Sequence, residues 1–155
     1  MYQVYISEDF IVTTDPKKID VNAVCELLSR SYWSEKRNRE IVEKFIENSL
    51  CFSLYHKDRQ IGFARVVTDY ITFGYVRDVF IHEDYRGKGL GKWLINCVIT
   101  HPDMINIERL MLATKDAQTF YQYHGFGQLQ KPEAFMERLG TINKATIGEL
   151  NIATS

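Results

Sequence analysis

Arg86-Gly87-Lys88-Gly89-Leu90-Gly91-Lys92 is the segment of this chain whose residue types and spacing could do chemistry. Glycine at alternate positions leaves backbone N–H groups open toward a ligand. Where such a loop opens a helix, those groups and the helix dipole make a site for anionic phosphate. Arg86, Lys88 and Lys92 add positive charge at the same spot. Glycines at a helix start cost backbone entropy, which a mere connector has little reason to carry. The segment is therefore expected to hold a phosphorylated ligand.

Spacing decides which kind of glycine loop this is. The dinucleotide pattern G-x-G-x-x-G fails, because it needs glycine where Lys92 or Leu94 stands. The triphosphate loop G-x-x-x-x-G-K-[ST] fails at Arg86 and Trp93. What remains is R-x-x-G-x-G, read as Arg86, Gly89 and Gly91, after the apolar run ending at Ile81 and before the apolar-faced stretch Trp93 to Ile99. Further along comes Leu110-Met111-Leu112-Ala113-Thr114, then a segment carrying Phe120-Tyr121 and Gly125-Phe126. Both motifs, in this order, resemble the GCN5-related N-acetyltransferase (GNAT) superfamily. The resemblance runs from about Leu50 to Gln130 and is looser at the two ends.

That resemblance implies a fold, a co-substrate and a set of roles. The fold is an α/β arrangement: a mixed, mostly antiparallel central sheet, splayed at the cofactor site, with helices on both faces. Acetyl-CoA is implied as co-substrate. Backbone groups of Gly87, Lys88, Gly89, Leu90, Gly91 and Lys92, with Arg86, are expected to take its pyrophosphate. Val79, Phe80 and Ile81 are expected to pair with the pantetheine arm as an added strand would, with Asp116 and Phe120 as further cofactor contacts. The acceptor is implied to be an amine of a small molecule or a peptide. Tyr32 and Trp33, between two early helices, are candidates for touching it. The alternative is a module that binds acyl-CoA as a sensor, without turnover.

Acyl transfer to an amine needs the amine neutral, and an unperturbed lysine-like amine is neutral only about once in 2500 molecules at pH 7. A base or a water chain must take its proton, and the departing thiolate needs one. The resemblance suggests Tyr121 as that donor; a phenol with pKa near 10 keeps its proton at neutral pH. The base is less defined. Counting back from Arg86, the position where superfamily members often carry a carboxylate holds Tyr75. Asp78 is the nearest carboxylate, with a water chain as the other route and His124 close to Tyr121 in sequence. By simple alternation Tyr75, Arg77 and Val79 share one strand face, and Val76 and Asp78 the other.

The elements that must position these residues can be read from pattern. Phe10 to Thr14 reads as the first strand, closed by Asp15-Pro16. Asp20 can cap a helix to about Arg30, and Asn38 a second one with Ile41, Val42, Phe45 and Ile46 at helical spacing. Leu50 to His56 and Gln60 to Thr68 read as a hairpin, and Tyr75 to Ile81 as the next strand. A helix from Gly89 stops near Thr100, before His101-Pro102. Leu110 to Thr114 is expected as a strand, Asp116 as the cap of a short helix, and Phe126 to Leu129 as a returning strand.

Bulk properties bound the rest. With 155 residues, 45% of them hydrophobic, residues 1–155 are expected to form a single domain. A chain of that size buries ~68–70% of its unfolded surface. The net charge of −1 speaks against nucleic acid or an anionic membrane as partner. No run approaches the ~18 apolar residues of a membrane span, and the first residues lack a secretory pattern. Cys25, Cys51 and Cys97 are odd in number and far apart, as expected of reduced thiols in a cytoplasmic protein. The histidines show no metal-binding spacing, so no metal is expected. The protein is expected to be a monomer or a homodimer.

Overall fold

The computed structural model describes residues 1–31 and 38–140. Local capping starts both early helices. Asp20 Oδ1 accepts from Ala23 N at 3.1 Å at the head of α1 (Val21–Ser31), and Asn38 Oδ1 accepts from Ile41 N at 3.0 Å at the head of α2 (Arg39–Glu47). Each such bond satisfies a backbone donor that a helix start leaves open.

Six strands form one sheet in chain order: β1 (Val4–Ser7), β2 (Phe10–Thr13), β3 (Leu50–His56), β4 (Arg59–Thr68), β5 (Gly74–Ile81) and β6 (Leu110–Met111). Every neighbouring pair is antiparallel except β5 with β6, which is parallel. The first strand is thus Val4–Ser7 and not the Phe10 run. It pairs with β2 across the turn at Glu8-Asp9, where Glu8 takes φ 54°. Its Val4 and Ile6 stay exposed, so burial could not have marked it.

Pairing of β5 with β6 is confined to Gly74↔Leu110 and Tyr75↔Met111, whereas β5 stays paired with β4 as far as Ile81. The sheet therefore splays along β5, as expected. Between the two strands runs α3 (Leu90–Thr100), and α4 (Gln118–Tyr123) follows β6. Val24, Leu27, Leu28, Val42, Phe63 and Phe80 form the apolar layer under α1 and α2. Phe52, Leu54, Val66, Val79, Leu94 and Tyr121 belong to the larger layer on the opposite face, under α3 and α4. No helix among the described residues is long and apolar enough to cross a membrane.

Two strand expectations and one cap change. Residues 126–129 are irregular and not a strand. With β6 only two residues long, a returning strand has almost no ladder to join. Leu112 to Thr114 likewise fall outside β6. The short helix is not capped by Asp116: Ala117 is its N-cap, and Thr114 Oγ1 accepts from Ala117 N at 3.1 Å.

His101 organises the turn after α3. Its Nδ1 accepts from Asp103 N at 3.0 Å, and its carbonyl accepts from Met104 N and Ile105 N. Burial holds the imidazole below its ordinary pKa of 6.5, with Asp103 opposing that shift. His124 is also shifted down, by burial and then by the charge of Lys92. For both groups the unfolded chain takes up a proton before the folded one does. Their stability contribution is therefore complete above about pH 6.5 and is lost as pH falls through the lower folded value. Melting temperature should fall between pH 7 and pH 5. His101→Asn, which keeps an acceptor for Asp103 N but does not titrate, should flatten that slope; an unchanged slope would remove His101 from this account.

Candidate active site

The glycine loop is built by the strand that precedes it. At Ile81 the strand ends, and His82 Nδ1 accepts from Asp84 N at 3.1 Å to open a single 3-10 turn, Glu83–Tyr85. Tyr85 Oη lies 2.8 Å from His56 Nδ1, so the end of β3 steadies this turn. Arg86 Nε donates back to the Ile81 carbonyl at 3.2 Å. Gly87 and Gly89 then take φ of 78° and 79°, the left-handed region where a Cβ is strained. A Cβ placed on either would meet nothing within 4 Å, so the space beside the loop is open. Gly89 is the N-cap of α3 with no side-chain bond to its free N–H groups. Eleven residues of helix stand behind it, which gives the dipole at this end its strength.

The second motif packs directly against the first. A Cβ on Gly91 would lie 3.7 Å from the Phe120 ring. The Lys92 ammonium sits 4.4 Å from the centroid of the Tyr123 ring. A cavity of about 570 Å³ opens here, lined by Gly89, Lys92, Trp93, Asn96, Ile99, Tyr123 and His124. Tyr121 is 1% exposed, with its ring 5.0 Å from Phe120 and 5.9 Å from Phe126. It shares the apolar layer of Val76, Val79, Ile81 and Leu90. Loop, Phe120 and Tyr121 are thus brought together, while Asp116 is exposed on the approach to α4.

Asp78 lies on the other face. The β4–β5 register slips between Phe63 and Arg65, and Asp78 takes φ 54°. This β-bulge overturns simple alternation: Val79 joins Val76 under α3, and Asp78 turns toward α2. There its Oδ2 accepts from Arg65 Nε at 2.5 Å, with both side chains almost wholly buried. Arg65 Nη1 also donates to Ser49 Oγ at 3.1 Å, and its guanidinium lies 4.1 Å from the centroid of the Phe45 ring. Arg65 was missed in the sequence, although an arginine inside the apolar run Ile61 to Val67 was a signal that a carboxylate must meet it. Tyr75 and Arg77 are half-buried on the same strand, with the Arg77 guanidinium 5.8 Å from the Tyr75 ring. Tyr32 and Trp33 lie outside the described residues.

Burial pushes the Cys51 and Cys97 thiols up to about 12, which leaves them poor nucleophiles. Among the described residues no group of His, Cys, Asp and Glu is placed to hold a metal ion.

Comparison with known proteins agrees with this geometry. The model of the acetyltransferase (GNAT) domain matches residues 47–128, which include both motifs and the Asp78 bulge. A GNAT-family protein from Xanthomonas campestris is 36% identical, with 88% of this chain and 97% of that one covered and a TM-score of 0.81. An uncharacterized N-acetyltransferase ycf52-like protein of Prochlorococcus marinus is 34% identical over 74% of this chain and 67% of its own. Rv2747 of Mycobacterium tuberculosis, solved in complex with CoA, shares the fold at 15% identity, with a TM-score of 0.62 over 90% of this chain and 80% of its own. The chain belongs to the GNAT acetyltransferase family.

Proposed function

We propose that the protein is an acetyl-CoA-dependent N-acetyltransferase acting on an amine of a small molecule or peptide. The observation that carries this reading is the pair of left-handed glycines, Gly87 and Gly89, opening α3 beside the splay of β5 from β6. The open space beside both glycines fits a phosphate, and a protein of the same fold has been solved with CoA. Arg86 to Lys92 would hold the pyrophosphate through backbone N–H groups. Val79, Phe80 and Ile81 would take the pantetheine arm along β5, and Phe120 would wall it; Asp116, exposed nearby, would contact its outer part. Tyr32 and Trp33, on the connection from α1 to α2, would meet the acceptor. Three free cysteines, two of them buried, fit a reducing compartment such as the cytoplasm.

Bound there, acetyl-CoA supplies the acetyl group as a thioester, and the protein's work is proton management. A water chain takes the proton of the amine. Asp78 orients that side of the site through Arg65; with one oxygen already accepting from Arg65, it is a constrained proton acceptor. When the carbon–sulfur bond breaks, Tyr121 gives its Oη proton to the thiolate.

Gly89→Val tests the cofactor part. A β-branched residue at φ 79° is strained, and its side chain would fill the space kept for phosphate. Each charge-assisted hydrogen bond lost is worth about 1.5–3 kcal/mol, so CoA affinity should fall roughly tenfold or more. Calorimetry on the folded variant decides it: wild-type affinity would show that the loop is not the phosphate site.

A further inference from the structure

One edge of the sheet is β1, and its sequence carries nothing to protect it. Thr14 N donates to the Gln3 carbonyl at 3.0 Å, and β1 pairs with β2 as Val4↔Thr13, Tyr5↔Val12 and Ile6↔Ile11 with no slip in register. Inward and outward backbone groups alternate along an antiparallel ladder, so Gln3, Tyr5 and Ser7 turn theirs toward β2. Those of Tyr2, Val4 and Ile6 therefore point away from the sheet. Free edges of this kind recruit other strands, and soluble proteins usually block them with lysine, proline, a bulge or a covering element. Met1 to Ser7 contains no proline and no charged side chain. The side chains of the outward residues are also uncovered: Tyr2 is 53% exposed, Val4 57% and Ile6 72%. Tyr5 packs into the layer under α3, so by alternation these three share the other face.

We propose that a second copy of this chain covers the edge, β1 against β1 in antiparallel, on a two-fold axis at Val4. Symmetry and charge select that occupant. In this register Val4 meets the partner's Val4, while Tyr2 and Ile6 meet the partner's Ile6 and Tyr2. Every outward backbone group of the three residues then finds a donor or acceptor, and each exposed apolar side chain faces another. An aromatic ring on a β-branched residue is a favourable cross-strand pair. A charged strand would find no counter-charge along this strip, whereas the chain itself supplies a neutral, apolar one. Glu8 and Asp9, the first charged residues, form the turn beyond Ser7. Antiparallel pairing sends the two Glu8 residues to opposite ends of the ladder, ~25 Å apart, well beyond the Debye length at physiological salt. A two-fold pairing also uses up the edge of both copies and closes at two. β5 and β6 lie at the far side of the sheet, so the two cofactor sites stay separate. One short ladder belongs at the small end of specific interfaces, which places the equilibrium roughly in the micromolar range. Of the monomer and homodimer expected from the sequence, this selects the homodimer.

Sedimentation velocity on the full chain, free of any N-terminal tag, tests this. The wild type should move from monomer toward dimer as its concentration rises through the micromolar range. Val4→Lys sets two ammonium groups against each other at the axis and should raise the dissociation constant by about tenfold or more. Val4 is exposed in the single chain, so the melting temperature of dilute Val4→Lys should stay close to that of dilute wild type. Val4→Cys reads the register. Its two thiols would face each other across an antiparallel pair, where Cα atoms ~5.5 Å apart suit a disulfide. Mild oxidation should therefore give a covalent dimer with Val4→Cys and little with Ile6→Cys, which stands opposite the partner's Tyr2. A wild type that stays monomeric throughout, or a dimer that survives Val4→Lys unweakened, overturns the proposal. So does cross-linking through Ile6→Cys in preference to Val4→Cys. Should Val4→Lys fail to fold, wild-type sedimentation and the two cysteine variants still decide. None of these readouts involves acetyl-CoA, so their failure leaves the transferase reading untouched.

Discussion

Asp78→Ala should destabilise the protein by about 3–5 kcal/mol, because it leaves Arg65 buried without its counter-charge. That is a large share of the ~5–15 kcal/mol that holds most domains folded. Alanine at φ 54° adds backbone strain of about 1 kcal/mol or more. Asp78→Asn should cost less on both counts. Asparagine tolerates the left-handed region, and its amide oxygen can still accept from Arg65 Nε. Arg65→Met alone should also be strongly destabilising, since it takes the guanidinium away from a fully buried carboxylate. The double variant Arg65→Met, Asp78→Asn should recover much of the loss, because replacing both members of a buried pair is often nearly neutral. Urea denaturation of the wild type, Asp78→Asn, Arg65→Met and the double variant gives the coupling directly. If Asp78→Ala lies within about 1 kcal/mol of wild type, the pair does not hold the bulge. The folded Asp78→Asn protein also separates two roles. A base would lose a limb of its pH–rate profile, whereas an orienting carboxylate leaves the profile's shape and lowers its height.

Tyr121→Phe should leave the fold intact and lower kcat by about a hundredfold, the low end for general acid catalysis, since thiolate is a good leaving group. The ring stays packed against Phe120 and Phe126, so melting temperature and CoA affinity should hardly move. Loss of kcat with binding preserved is the signature of a contact made in the transition state. The leaving group offers a sharper check. An aryl thioester releases a thiolate that needs no proton, so the defect of Tyr121→Phe should shrink with such a donor. A change in kcat below about threefold, with chemistry rate-limiting, would mean that water or another residue protonates the thiolate.

The readings that held rest on residues close together in the chain. Asp20 and Asn38 cap their helices through atoms three residues away. The β3–β4 hairpin turns at Lys57-Asp58, one residue shorter than the polar loop suggested, with Lys57 at φ 56°. The glycine loop was legible because its requirement is local: glycines at positions that a Cβ would strain, opening a helix. Phe120-Tyr121 followed from a motif of the same kind, and so did the family.

What local pattern could not carry is partnership between strands. The Asp78 bulge depends on how β5 registers against β4, and one slipped residue moved Val79 to one face and left Asp78 on the other. Arg65 meets Asp78 from thirteen residues away, a pairing that no window of a few residues contains. The returning strand at Phe126 and the cap at Asp116 had suitable residues, but tertiary structure assigned neither role. A strand forms only where a neighbour offers a ladder, and β6 ends after two residues. A cap forms only where the chain's approach aims the side chain at the open N–H, and at α4 the N-cap is Ala117, whose own N–H donates to Thr114 Oγ1. By itself, then, the sequence determined the helices, the hairpin and the glycine loop, because hydrogen bonds and steric limits within a few residues decide them. Which face each residue of β5 presents, and therefore which charges meet beside Arg65, was decided only when distant strands came into register.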